Sequence, residues 1–324
     1  MSSPGPPLKV LSVVGAGRSG TTVLASILGE VDGFASAGEL RWLWERGVKA
    51  ERPCGCGNIP ARCPVWSPVI TQAIAPFAAT ALPGRVESII SSQHELARRR
   101  NLIRVLQSID HPEHEAWPAL QTVRTVTGSA CRALADVTAA RVVVDTSKRP
   151  LDAAILAGVK GLDHYVLHIV RDPRAVVHSW RRAKSFTTEG TTRTMGTRSL
   201  PSTVRRWISN GVSAEALRRR IPASRWLHIR YEDFAAEPRA VVESILAFLG
   251  ENAGIPFTDD HTVMLHPNHI VAGNPSRFTT GHVTIRADEE WRRSMTQGDQ
   301  RLVGLLTMPL MLKYGYPVRH AARG

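Results

Sequence analysis

Eight residues near the amino terminus, GAGRSGTT (Gly15 to Thr22), carry the groups needed to hold a tetrahedral anion. Gly15, Gly17 and Gly20 let the backbone turn tightly and bring its N–H groups close to a ligand. Ser19, Thr21 and Thr22 add hydroxyls, and Arg18 can fork onto two oxygens. The spacing follows the phosphate loop G-x-x-x-x-G-K-[ST], with one departure: Thr21 stands where lysine would reach the phosphates of ATP. A loop with an arginine and no lysine points to an anion other than ATP.

A second anion anchor lies far along the chain, in HIVRDPRAVVHSWRR. Arg171 ends an apolar run, and Ser179 follows eight positions later on a predicted helix. Asp172 suits the N-cap and Pro173 the first helical position. Glu39, in ASAGELRWLWERG, follows a short possible strand at Gly33–Ser36. It could act as a base at the ligand end of a parallel sheet or merely pair with Arg41. In VVVDTSK, Lys148 could supply a fixed cation or face solvent as a turn lysine. Asp145 there could instead be a Walker-type carboxylate for Mg²⁺, which would make the chain a small-molecule kinase using ATP.

The elements that must position these residues are short. Val10–Val14, Val142–Val144, Tyr165–Val170 and Trp226–Ile229 are β-branched apolar runs without polar alternation, as in strands buried on both faces. Helical patterns lie between them at Thr22–Leu28 (expected to be amphipathic), Arg174–Lys184 and Arg239–Phe248. The expected fold is therefore α/β, with a central, mostly parallel sheet. Residues from about 66 to 140 read as a helical insertion, and Phe186–Pro201 as a mobile loop. The whole chain, 1–324, is expected to form one domain behind a small, Pro-rich, flexible stretch, residues 1–9.

The chain has 41 Lys and Arg against 28 Asp and Glu, a net charge of +13 and a pI near 10.4. That balance suits an anionic ligand or polymer. The basic residues fall in short clusters, Arg98–Arg100, Arg181–Arg182 and Arg218–Arg220, with no RNP signature or zinc-finger spacing. A nucleic-acid partner is not expected. A basic module for heparin-like polymers or nucleic acid remains the non-enzymatic alternative. Four cysteines in 324 residues are no disulfide framework. Cys54, Cys56 and Cys63 form C-x-C-x6-C, one ligand short of a structural zinc site, and no metal is expected. The twelve histidines do not cluster at ligand spacing, and His168 and His178 are expected to pack. Without an apolar run of membrane length or a secretory leader, the expected place is the cytoplasm.

GAGRSGTTVL resembles the 5′-phosphosulfate loop of sulfotransferases that use 3′-phosphoadenosine 5′-phosphosulfate (PAPS). The resemblance implies a three-layer, P-loop-NTPase-like fold, release of PAP, and no metal in the reaction. It assigns Gly17, Arg18, Ser19, Gly20, Thr21 and Thr22 to the 5′-phosphosulfate, and Arg171 with Ser179 to the 3′-phosphate. The branch with a catalytic histidine after a central strand is not matched in Val142–Pro150. The G-E segment is instead similar to that of tyrosylprotein-type and several bacterial members, which makes Glu39 the general base. Lys148 then resembles the family's lysine at the bridging oxygen, with Arg18 beside it and Asp145 as a helix or turn cap. HPNHIVAGNPSRF resembles an H…G-N-x-x-R segment that closes over the nucleotide, so Arg277 is expected to touch PAPS, with the 3′-phosphate as one candidate contact. RYEDF (Arg230–Phe234), Asp288 and Trp291 are expected to be structural, and CGCG…CP segments occur in similar bacterial proteins. The acceptor is left open as a small molecule, lipid or glycan. The insertion and Phe186–Pro201 are the expected lining of its pocket.

Overall fold

The computed structural model describes residues 7–77, 82–111, 116–182, 185–188, 191–194 and 196–317. Five parallel strands form its centre: β1 (Leu8–Val14), β2 (Phe34–Gly38), β3 (Val142–Lys148), β4 (Leu162–Val170) and β7 (Trp226–Arg230). Their order across the sheet is β2-β3-β1-β4-β7. Lys9 pairs with Val142 on one side and Asp163 on the other, so β1 is the middle strand. From it the chain runs first to one side and later to the other. The sheet therefore divides at β1, where α/β folds place their ligands.

Alternate residues of each strand feed different helical layers, which is why the runs carry no polar alternation. Val10, Val143, Ala35 and Ala37 pack among helices α2 (Trp66–Ile74), α3 (Leu82–Leu96) and α5 (Pro118–Thr138). Val14 and Val166 continue that face against α4 (Leu102–Gln107), α6 (Pro150–Ala157) and α8 (Leu200–Arg218). Leu11, Val13, Val144, Leu167 and Ile169 face the other way, onto α1 (Thr21–Gly29) and α10 (Pro238–Leu249). The result is helix, sheet, helix, the P-loop-NTPase-like arrangement. Helices α2 to α5 come between β2 and β3 in the chain.

Four expectations are corrected. Leu8 and Lys9 belong to β1, and Lys9 pairs with Glu251 at 2.7 Å; only residues 1–6 of the supposed flexible start lie outside the described set. Helix α1 is buried almost all round rather than amphipathic, because strands β2 and β3 and the segments 262–265 and 275–278 all pack on it. Within Phe186–Pro201, β5 (Ser185–Thr188) and β6 (Thr191–Thr194) pair antiparallel and α8 starts at Leu200; residues 189, 190 and 195 lie outside the described residues. Helix α7 (Pro173–Arg181) stops before Lys184, and residues 183 and 184 also lie outside. His168 packs as expected, among the rings of Trp226, His228 and Tyr314.

Candidate active site

Because the strands are parallel, their carboxyl ends share one edge of the sheet. That edge receives the glycine loop from β1, Glu39 from β2, Lys148 from β3 and Arg171 from β4. Four segments spread over 156 residues, counted from 15 to 171, thus meet through topology alone.

The loop is held by close approach. A Cβ on Gly15 would lie 2.2 Å from the carbonyl oxygen of Ile169, and the Gly15 N–H donates to Lys148 O at 3.0 Å. Arg18 takes φ 75° and Gly20 φ 77°, the left-handed region that turns the chain into α1. A side chain on Gly20 would meet the ring of Tyr231 at 2.8 Å. The hydroxyl of Ser19 is fully buried and has no hydrogen-bond partner among the described residues. Such a group is the kind a bound anion satisfies.

Arg171 is only 4% exposed. Its Nη1 donates to Arg18 O at 2.8 Å, and Nη2 donates to Asp288 O at 3.1 Å and sits 3.3 Å from Asp288 Oδ2. The guanidinium stacks 4.3 Å from the Tyr231 ring, while Nε has no partner among the described residues. Asp172 caps α7 by accepting from the Arg174 N–H at 2.8 Å, as the sequence suggests. Ser179 is buried on that helix, with no hydrogen bond to Arg171 among the described residues. Around the loop, the Trp180 ring lies 4.7 Å from the Arg18 guanidinium and 4.4 Å from that of Arg198. Burial, followed by the charges of Arg182, Arg171 and Arg198, lowers the pKa of Arg18. Four arginines crowded this way favour a multiply charged anion among them.

Glu39 stands at the other side of the loop. Gly38 before it has φ 74°, and a Cβ there would meet Val271 O at 2.5 Å. Glycine therefore lets the strand turn against residue 271, where the Glu39 N–H donates to Val271 O at 2.9 Å. The Glu39 carboxylate is 9% exposed as a residue and forms an ion pair with the Lys148 ammonium. Lys148 itself has φ 71° at the end of its strand. A Cβ on Gly273 would lie 3.5 Å from both Glu39 Oε1 and Thr22 Oγ1, so these two oxygens flank one spot.

Asp145 caps backbone N–H groups, as the resemblance implies: Leu40 opens a 3-10 turn (Leu40–Trp42), and Ser147 lies two residues further on. It lies inside β3, which runs on to Lys148. Its Oδ1 accepts from Leu40 N–H at 3.2 Å, Ser147 N–H at 3.1 Å and Ser147 Oγ at 2.6 Å. Burial pushes its pKa up to about 7. Arg277 lies on the Glu39 side of the site. Its Nη atoms donate to Gly273 O at 3.2 Å and Pro53 O at 3.3 Å, and its charged neighbours are Glu39 and Arg52. The fold groups it with Glu39 rather than with Arg171. Burial lowers its pKa to about 10.

Sequence reasoning missed Tyr231, Trp180, Arg182, Arg198 and Asp288. Asp288 was expected only to pack, yet it holds both Arg171 and Arg182, the latter at 2.9 Å. The neighbouring Glu232 is structural as expected: it accepts from Asp172 N–H at 3.0 Å and from the Tyr316 hydroxyl at 2.6 Å. Trp291 likewise packs, 4.9 Å from the Arg174 guanidinium. Beyond Gly15–Gly17 and Lys148 a cavity of about 690 Å³ opens, lined by Arg98, Arg149, Arg198, Arg205 and Arg206 and, among the described residues, by no acidic one.

Residues 163–254 match the model of the sulfotransferase family. That stretch holds Arg171 and Ser179 but neither the glycine loop nor Glu39. Among solved structures, the sulfotransferase domain of the Synechococcus PCC 7002 olefin synthase superposes with a TM-score of 0.51 at 20% identity, covering 98% of each chain. The sulfotransferase domain from the curacin biosynthetic pathway gives 0.47 at 15% identity, with 97% of this chain and 100% of that one covered. No curated protein is detectably similar in sequence. No described helix is long and apolar enough to cross a membrane.

Proposed function

We propose that this chain, which has the fold of a sulfotransferase and the family's segment at residues 163–254, transfers a sulfuryl group from PAPS to a hydroxyl or amine of an acceptor. The observation that carries the reading is the meeting of a lysine-free glycine loop with Arg171, Glu39 and Lys148 at one sheet edge.

The residues fit the donor. The loop N–H groups, Ser19, Thr21, Thr22 and Arg18 would hold the 5′-phosphosulfate at the positive end of α1. Ser19 Oγ and Arg171 Nε are buried donors with capacity left for it. Arg171 and Ser179 would hold the 3′-phosphate, with Tyr231 under the guanidinium. Bound PAPS supplies the activated sulfuryl group. Glu39 Oε1 takes the acceptor's proton, and Gly38 and Val271 fix the backbone from which it reaches. The Lys148 ammonium, held meanwhile by Glu39, places positive charge where the departing phosphate oxygen gains negative charge. Arg277 keeps residues 273–278 seated beside Glu39. The loop's missing lysine and the occupied carboxylate of Asp145 speak against an ATP and Mg²⁺ kinase. Cytoplasmic placement and a small-molecule, lipid or glycan acceptor belong to the same proposal.

Sulfur-35 PAPS, offered with pooled hydroxyl and amine acceptors, tests it. Label should appear in an acceptor with wild type and not with Glu39→Gln. Equal labelling by both, or transfer of phosphorus-32 from γ-labelled ATP instead, overturns the assignment.

A further inference from the structure

The cysteine segment that the sequence leaves one ligand short is completed by the fold. Cys54, Cys56 and Cys63 lie on the loop between β2 and α2, and His269 comes from a segment more than 200 residues later. One ligand atom from each lies within 4.8 Å of every other. The sulfur of Cys63 stands 3.7 Å from that of Cys54, 3.8 Å from that of Cys56 and 3.1 Å from His269 Nδ1. A tetrahedral ion with Zn–S bonds of about 2.3 Å sets its sulfurs about 3.8 Å apart. Cys54 and Cys56, at 3.1 Å, are near neighbours and not bonded; all the cysteines are free.

We propose that Cys54, Cys56, Cys63 and His269 Nδ1 form a closed, structural zinc site that fastens the strap carrying Arg277 to the loop after β2.

Two further features fit that site. The residue between the first two cysteines must be glycine, because a Cβ on Gly55 would lie 1.9 Å from Asn268 Oδ1. The two segments are also laced together by Gly55 N–H to Ile270 O at 3.0 Å and Trp66 Nε1 to His269 O at 2.5 Å. Zn²⁺ entering this nest releases the three thiol protons, and the imidazole keeps its remaining proton on Nε2. With four protein ligands no position is left for a reacting group, so the site is structural. Its consequence lies in position: residues 268 to 277 also carry Val271, which receives the Glu39 N–H, and Arg277. The metal site does not depend on the sulfuryl-transfer reading.

The test measures zinc in the full-length chain purified and reconstituted with Zn²⁺ under reducing conditions. One Zn²⁺ per chain is expected in wild type and in the Cys131→Ser control. Cys63→Ser should hold none, and His269→Ala should lose its metal to a chelator that leaves wild type loaded. Should Cys63→Ser fail to fold, Co²⁺ on the wild-type apoprotein decides. Intense tetrahedral d–d bands with thiolate charge transfer support the site, and a weak octahedral spectrum refutes it. Zinc-free wild type after reconstitution, or a Cys54–Cys56 disulfide in the protein made under reducing conditions, also overturns the proposal. None of these readouts uses sulfuryl transfer.

Discussion

Arg171 does two jobs in this account, and they can be separated. In the free protein its Nη1 holds the Arg18 carbonyl at 2.8 Å and its Nη2 holds Asp288. Arg171→Ala therefore removes two partly buried hydrogen bonds, to Arg18 O and Asp288 O, about 1–2 kcal/mol together. It also removes the contact with Tyr231, about 0.5–1 kcal/mol. The Asp288 pair adds at most about 1 kcal/mol, because that carboxylate is 30% exposed and keeps Arg182. The expected destabilisation is about 2–3 kcal/mol, a fall in Tm of roughly 3–5 °C. Binding is a separate loss. Forked, charge-assisted bonds to a phosphate contribute about 3 kcal/mol, so affinity for PAP should drop about 100-fold. Asp288→Asn perturbs the same network but leaves the guanidinium in place, and its PAP affinity should stay within about threefold of wild type, roughly 0.6 kcal/mol. Calorimetric titration of PAP below each variant's Tm checks both. Equal losses of PAP affinity in the two variants, tracking their losses in Tm, would show that Arg171 only braces the loop and would refute its binding role.

Other outcomes follow from the same geometry. Glu39→Gln should lower the transfer rate by about 10²–10⁴-fold in steady-state assays while PAP affinity changes little, since a proton acceptor acts only in the reaction. Lys148→Met should reduce kcat by about 10²–10³-fold in the same assay, with little effect on PAP affinity. Gly20→Ala adds a methyl group against Tyr231 at a φ of 77°; a loss of about 2–3 kcal/mol in urea melts is expected. Burial pushes the pKa of His168 down to about 3. The unfolded chain takes up that proton near pH 6.5 and the folded chain does not. Stability from this site is thus full above pH 6.5 and falls as pH drops towards 3. His168→Phe should shrink the difference in unfolding free energy between pH 7.5 and pH 5 by up to about 2 kcal/mol.

The loop, the Arg171 turn and the sheet were legible because each depends on local grammar. Glycines marked tight turns, Asp172-Pro173 marked a helix start, and β-branched runs marked buried strands. What stayed hidden lies in pairings across the sheet edge. Nothing near Tyr231 says that its ring will lie beneath Arg171 and against Gly20. Nothing in ADEEW says that Asp288 will neutralise two arginines from elsewhere. Asp145 left two readings open because VVVD carries the pattern of a metal-binding strand end, whereas β3 runs three residues further and turns Oδ1 toward Leu40 and Ser147. His269 could not be joined to three cysteines more than 200 residues away until the parallel sheet had brought both segments to Glu39.

The central claim is that the loop and Arg171 hold a phosphosulfate nucleotide, and thermal stability with PAP, set against ATP plus Mg²⁺, tests it most directly. A ligand bound only by the folded chain at 100 times its Kd adds about 2.7 kcal/mol. The account predicts that PAP raises the Tm of wild type by several degrees and that of Arg171→Ala far less, with little response to ATP and Mg²⁺. Stabilisation by ATP and Mg²⁺ alone, with none from PAP, would contradict it.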